Sequence, residues 1–140
     1  MARTKAAANR TTTVEVDAID RLVEALNTLD GIEFARDAWV NEAPEVYGVV
    51  ELSGTSLQLW ADGHLIDTAW NVIVTAYVNG ADDTWPDRIQ QKLEELEGQG
   101  WFDTTHTNTR SFDYETGKVR WQWILMMYGP LTWTETVTGS

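Results

Sequence analysis

Residues 57–70 read LQLWADGHLIDTAW, and the Asp62-Gly63 pair at their centre constrains the fold more than any other feature. A type I′ turn needs positive φ at both central positions, which Gly accepts freely and Asp better than most residues. Apolar runs on either side of Asp-Gly therefore predict a β-hairpin. Pairing the arms across the turn sets Ala61 opposite His64, Trp60 opposite Leu65 and Leu59 opposite Ile66. Side chains alternate along a strand. One face then carries Leu57, Leu59, Ile66, Trp70, Val72, Val74, Ala76 and Val78, the composition of a core face. The other carries Gln58, Trp60, Leu65, Asp67, Ala69, Asn71, Ile73, Thr75 and Tyr77, too polar for a second core and too apolar for plain solvent. Such a mixed face is expected where another chain is met. Residues 65–78 as one strand would span about 46 Å at roughly 3.3 Å per residue. A compact domain of this size is about 37 Å across, so the hairpin is expected to overshoot the globule. The competing expectation is that Trp60 and Leu65 fold back as ordinary core.

The other elements follow from periodicity and punctuation. Residues 12–30 predict a first helix, with Thr12 and Glu15 at capping-box spacing and Ile19, Leu22, Val23, Leu26 and Leu29 on one face. Asp30-Gly31 is expected to end it. A short strand is expected at 32–36, a loop at AWVNEAPE and a strand at 46–53, with ELSGTS a turn before the hairpin. Asn79-Gly80 closes the return arm. Trp85, Ile89, Leu93 and Leu96 form the stripe of a second helix, started by Pro86 and stopped by Gly98 and Gly100. A last hairpin joins 103–112 to 118–128 around DYETGK. Val119, Trp121, Trp123, Leu125 and Met127 share one face of its second strand, and Ile124, Met126 and Tyr128 lie on the other. The sum is an α+β fold: a mostly antiparallel β-sheet with two helices packed on one face, a protruding β-hairpin and extended termini. Its expected divisions are an N-terminal arm at 1–11, a single domain at 12–131 and an extended tail at 132–140.

Composition removes several classes of function. A net charge of −12 opposes binding to a phosphate backbone or an anionic membrane. There is no cysteine, hence no disulfide or thiolate chemistry. No apolar run approaches the roughly 18 residues that span a bilayer. The opening MARTKAAANR is basic and lacks the apolar stretch of a signal peptide, and is expected to be a flexible arm, either a frayed terminus or one that becomes ordered against a neighbour. His64 and His106 have no partner at metal-ligand spacing. Ser53, Ser56 and Ser111 lack the context of an activated nucleophile. Asp82-Asp83 suits a helix dipole, and Glu94, Glu95 and Glu97 a solvated helix face. No catalytic, cofactor-binding or metal residue is therefore assigned, and an enzyme is not expected. Eight Trp leave a carbohydrate-binding module open, with Trp39, Trp60, Trp101 and Trp133 near loops or tips.

The succession VYGVVELSGTSLQLWADGHLIDTAWNVIVTAYVNG, then DRIQQKLEELEG, then RSFDYETGKVRWQWIL resembles the tail completion or tail terminator proteins of long-tailed, siphovirus-type bacteriophages over roughly residues 14–128. The resemblance implies a virion protein of the tail or neck, assembled in the host cytoplasm as a six-fold ring. The ring would end the tail tube and join it to the head side. Its implied partners are copies of itself, the major tail tube protein and a head–tail connector or adaptor, with DNA as passing cargo and no membrane. A negatively charged lumen would keep the duplex from sticking. In that family hairpins and terminal arms reach neighbouring subunits. The expected contact residues are therefore Trp60, Asp62, Gly63, His64 and Leu65 at the tip, then Ile73 and Tyr77 along the same face. Asp62-Gly63 serves the turn equally well. A neighbouring head–tail joining ring and a small acidic protein-binding factor of immunity or anti-restriction type remain the alternatives.

Overall fold

Asp62 and Gly63 adopt φ of 51° and 75° in the computed structural model, the paired positive values of a type I′ turn. The structure describes residues 11–80, 84–104 and 109–138, without the side chains of 54–57, 59, 65, 66 and 104. His106, Asp82-Asp83 and residues 1–10 lie outside the described residues, as does the side chain of Leu65. The turn joins β3 (Tyr47–Ala61) to β4 (His64–Val78), and Ala61 and Trp60 stand opposite His64 and Leu65 as expected.

Two irregularities then correct the simple register. Leu59 faces Asp67 instead of Ile66, leaving Ile66 as an extra residue on β4. Farther down, Leu52 faces Val72 but Ser56 faces Trp70, so Ser53, Gly54 and Thr55 together oppose Asn71. ELSGTS is thus a bulge inside one continuous strand and not a turn between two.

The six-stranded sheet runs β2 (Glu33–Arg36), β3, β4, β7 (Lys118–Tyr128), with two short strands sharing the far side of β7: β5 (Asp103–Thr104) and β6 (Thr109–Asp113). Among the described residues only β2–β3 is a parallel pair. The fold is α+β and mostly antiparallel. Both helices, α1 (Ala18–Leu26) and α2 (Thr84–Gly98), cover the same face. Ile19, Leu22 and Leu26 of α1 and Ile89, Leu93 and Leu96 of α2 are buried with Val72, Val74, Ala76 and Val78 of β4 and Trp123 and Leu125 of β7. Burying a side chain of this size contributes about 1.5–3 kcal/mol, and this layer is the source of the domain's stability. Trp123 is fully buried, and its indole N–H donates to Gln90 Oε1 at 2.8 Å, which ties α2 to the sheet centre. The ring of Phe34 of β2 packs against Gly48 of β3, where a Cβ would come within 2.2 Å of it.

The first helix is shorter than its expected span of 12–30. Residues Thr11–Asp17 form β1, which pairs antiparallel over seven residues with β8 (Thr132–Thr138) in a separate two-stranded ribbon. β-branched side chains at 11–14 and 16 favour the extended chain, and β8 offers four threonines and a valine in return. The Thr12/Glu15 capping box is not used. Asp17 is the N-cap instead, with Oδ1 accepting from the amides of Ile19 (2.9 Å) and Asp20 (3.1 Å). The helix stops at Leu26, and its cap residue Asn27 exchanges two side-chain hydrogen bonds with the backbone of Phe34, which delivers the chain into β2.

Candidate functional site

Among the described residues no helix covers the opposite face of the sheet, although Ala69 and Thr75 on it are buried. Register puts Ala69, Asn71, Ile73, Thr75 and Tyr77 of β4 on that face, opposite Tyr128, Met126, Ile124, Gln122 and Arg120 of β7. Tyr47, Val49 and Glu51 of β3 join them beside Tyr77, Thr75 and Ile73. Ile124 and Tyr128 are 42% and 46% exposed, and Ile73 is half-buried between Ile124 and Glu51. The two-sided apolar character of β7 that the alternation predicts is therefore present. The Tyr128 hydroxyl is held above the usual phenol range by desolvation, by the Asp103 carboxylate to which it donates, and by Asp67.

At one end of this face the hairpin leaves the sheet. β7 pairs with β4 only as far as Ala69, and β2 pairs with β3 only at 47–50. Among the described residues, 56–61 and 64–68 therefore have only each other as strand partners, apart from a bond from the Gly129 amide to Thr68 O at 2.8 Å. The overshoot expected from strand length is realised as a projecting two-stranded ribbon. Trp60 is 59% exposed near its tip and does not fold back into the core, and Asp62, Gly63 and His64 are exposed with it. Ile73 and Tyr77 stand on the opposite face farther along β4, but they do not share a face with the tip as expected: the extra residue at Ile66 sets Trp60 on the side of Trp70 and Val72, the helix-covered one. The candidate residues thus fall into a tip group and a sheet group.

At the other end the face deepens into an open cleft of about 400 Å³. Tyr47 and Tyr77 stack at 4.8 Å on its floor, and Trp39 meets Tyr47 edge-on at 6.2 Å. The Trp39 indole N–H donates to Gly48 O at 3.2 Å, which pins the loop after β2 against the sheet. The rim carries Asp37, Glu51, Asp113 and Glu115. Burial raises the Tyr47 hydroxyl above its usual range, and Tyr77 and the Asp113 carboxylate raise it further. The sequence reading placed Trp39 in a loop and Tyr77 on the mixed face, but missed their meeting with Tyr47.

A second acidic groove runs between the β1–β8 ribbon and α1, lined by Glu15, Asp17, Asp20, Glu24 and Glu135. Arg36 reaches Asp17 (2.9 Å) and Asp20 (3.0 Å), and Arg21 approaches Glu135 (3.8 Å). Among the described residues no three His, Asp or Glu side chains converge as a metal site, and no helix is long and apolar enough to cross a membrane. No protein-family model matches the sequence, and no curated protein matches it significantly.

Proposed function

We propose that this chain is a structural protein that works by assembling with copies of itself, as a ring that terminates a bacteriophage tail tube and joins it to the head-side connector. One observation carries the reading. The central strands β4 and β7 bury one face under two helices and present Ile73, Ile124 and Tyr128 on the other, while the β3–β4 hairpin projects beyond every neighbouring strand with Trp60 exposed. A mixed sheet face with exposed apolar side chains and no helix over it, beside a projecting arm, is the arrangement of a subunit that completes its packing against a neighbour. The tail-terminator resemblance supplies the kind of assembly, and the excess of 22 acidic over 10 basic side chains suits a lumen through which DNA slides. Catalysis has no part in this function.

The test is the solution mass by light scattering, with negative-stain imaging alone and after mixing with tail tubes. Six copies of 15.8 kDa give about 95 kDa for a closed ring. Trp60→Asp with Ile124→Asp should leave a folded monomer by circular dichroism and abolish rings or caps, because both side chains are exposed in the single chain. A native protein that stays monomeric and leaves tube ends uncapped overturns the proposal.

A further inference from the structure

We propose that the aromatic cleft around Tyr47 and Tyr77 is the docking site for the chain's own first ten residues. Three rings form its floor and wall, and among the described residues Glu51, Asp113 and Glu115 on its rim belong to no ion pair. A Lys or Arg side chain matches this chemistry: its stem or guanidinium lies on a ring while the charge meets a carboxylate.

The segment MARTKAAANR holds Arg3, Lys5 and Arg10, three of the chain's ten cations, and none of its 22 carboxylates. The seven later cations are already engaged. Arg21, Arg88 and Arg110 lie over the rings of Trp101, Trp85 and Trp121. Arg36 and Lys92 approach carboxylates, and Lys118 and Arg120 donate to Glu45 O and Ser111 Oγ. In an extended chain Arg3 and Lys5 fall on one side, about 6.6 Å apart, and Ala6–Ala8 let a backbone approach the sheet closely.

The groove beside α1 is the competing acceptor. Arg36 and Arg21 already offset three of its carboxylates, and no aromatic ring lines it. The cleft is the better match. The inference holds whether the segment belongs to the same copy or to a neighbour, so it does not rest on the ring.

The absence of native cysteine makes disulfide trapping in the full chain a clean test. Thr4→Cys with Thr116→Cys keeps every charge and places one thiol at the cleft rim. Its cross-linking should exceed that of Thr4→Cys with Glu94→Cys, on the exposed face of α2, by roughly tenfold, the factor that two exposed charge pairs supply together. The excess should disappear on Glu51→Gln with Glu115→Gln, and on raising salt from about 0.1 M to about 1 M. Monomer and dimer bands both count as docking. A rate equal to the Glu94 control, a rate indifferent to charge and salt, or faster trapping of Thr4→Cys with Glu24→Cys in the competing groove overturns the proposal.

Discussion

Asp17→Ala removes the carboxylate at which the terminal ribbon, helix α1 and strand β2 meet. Its Oδ1 accepts the Ile19 and Asp20 amides at 2.9 and 3.1 Å and receives Arg36 Nη1 at 2.9 Å. An N-cap of this kind is worth about 1 kcal/mol, within a range of about 0.5–2. A partly exposed ion pair adds about 0.2–1 kcal/mol. The loss should therefore be about 1–3 kcal/mol, a fall of about 1 M in the urea midpoint for a domain of this size. Asp17→Asn separates the two contributions, because Asn caps as well as Asp but carries no charge, and it should cost less than about 1 kcal/mol. Burial pushes the Asp17 carboxyl up, but hydrogen bonds from Arg36 and from the amides of Asp20 and Ile19, with the Arg36 charge, bring it below its usual range. A lowered folded-state pKa means that the contribution is complete above the unfolded value, about 3.9, and is lost as pH falls through the folded one. The difference between wild type and Asp17→Asn should accordingly shrink in acid below that value. Equal losses in the Ala and Asn variants at neutral pH would refute the capping assignment, and no loss in either would refute the junction altogether.

Two further substitutions probe the packing on the helix-covered side of the sheet. Gly48→Ala drives a Cβ to 2.2 Å from the buried Phe34 ring; overpacking of this sort costs about 1–3 kcal/mol. Adding Phe34→Leu should recover part of that loss in urea unfolding, whereas independent, additive losses would show that the ring contact is not the cause. Gln90→Leu strands the indole N–H of fully buried Trp123 and should cost about 1–3 kcal/mol. Gln90→Glu retains an acceptor and should melt closer to wild type, and a Leu variant as stable as wild type would exclude the hydrogen bond as an anchor for α2.

The elements read correctly from sequence are those whose signal is local. Strand β7 occupies the expected 118–128, because an alternation of Val119, Trp121, Trp123, Leu125 and Met127 admits one period only. Helix α2 follows its stripe, with Trp85, Ile89, Leu93 and Leu96 all buried, and Asp62-Gly63 turns where it should. The expected helix of 12–30 wrongly takes in residues 12–17, because their strand partner is at the far end of the chain. Thr13 stands opposite Thr136, and no window around residue 13 contains that information. The available signal was compositional: TTTVEV and TWTETVT are both β-branched stretches with no partner elsewhere.

The cleft was hidden for a different reason, and bulges account for it. An unbulged hairpin counted from Asp62-Gly63 sets Tyr47 opposite Val78, on the core face. The extra residue at Ile66 and the three-against-one mismatch at 53–55 leave a net slip of one position, and Tyr47 stands opposite Tyr77 instead. Since side chains alternate with a period of two, that single position moves Tyr47, Val49 and Glu51 from the helix-covered face to the open one. The same slip turns Gly48 toward the core, where only a missing side chain leaves room for Phe34. Gly54 within ELSGTS was the visible mark of the three-against-one bulge. A Gly there reads equally as a turn until the partner strand is known to continue past it. The aromatic floor of the cleft and the close packing of β2 on β3 are thus two consequences of one net slip, whose odd step is the extra residue at Ile66, and deleting Ile66 should disturb both together.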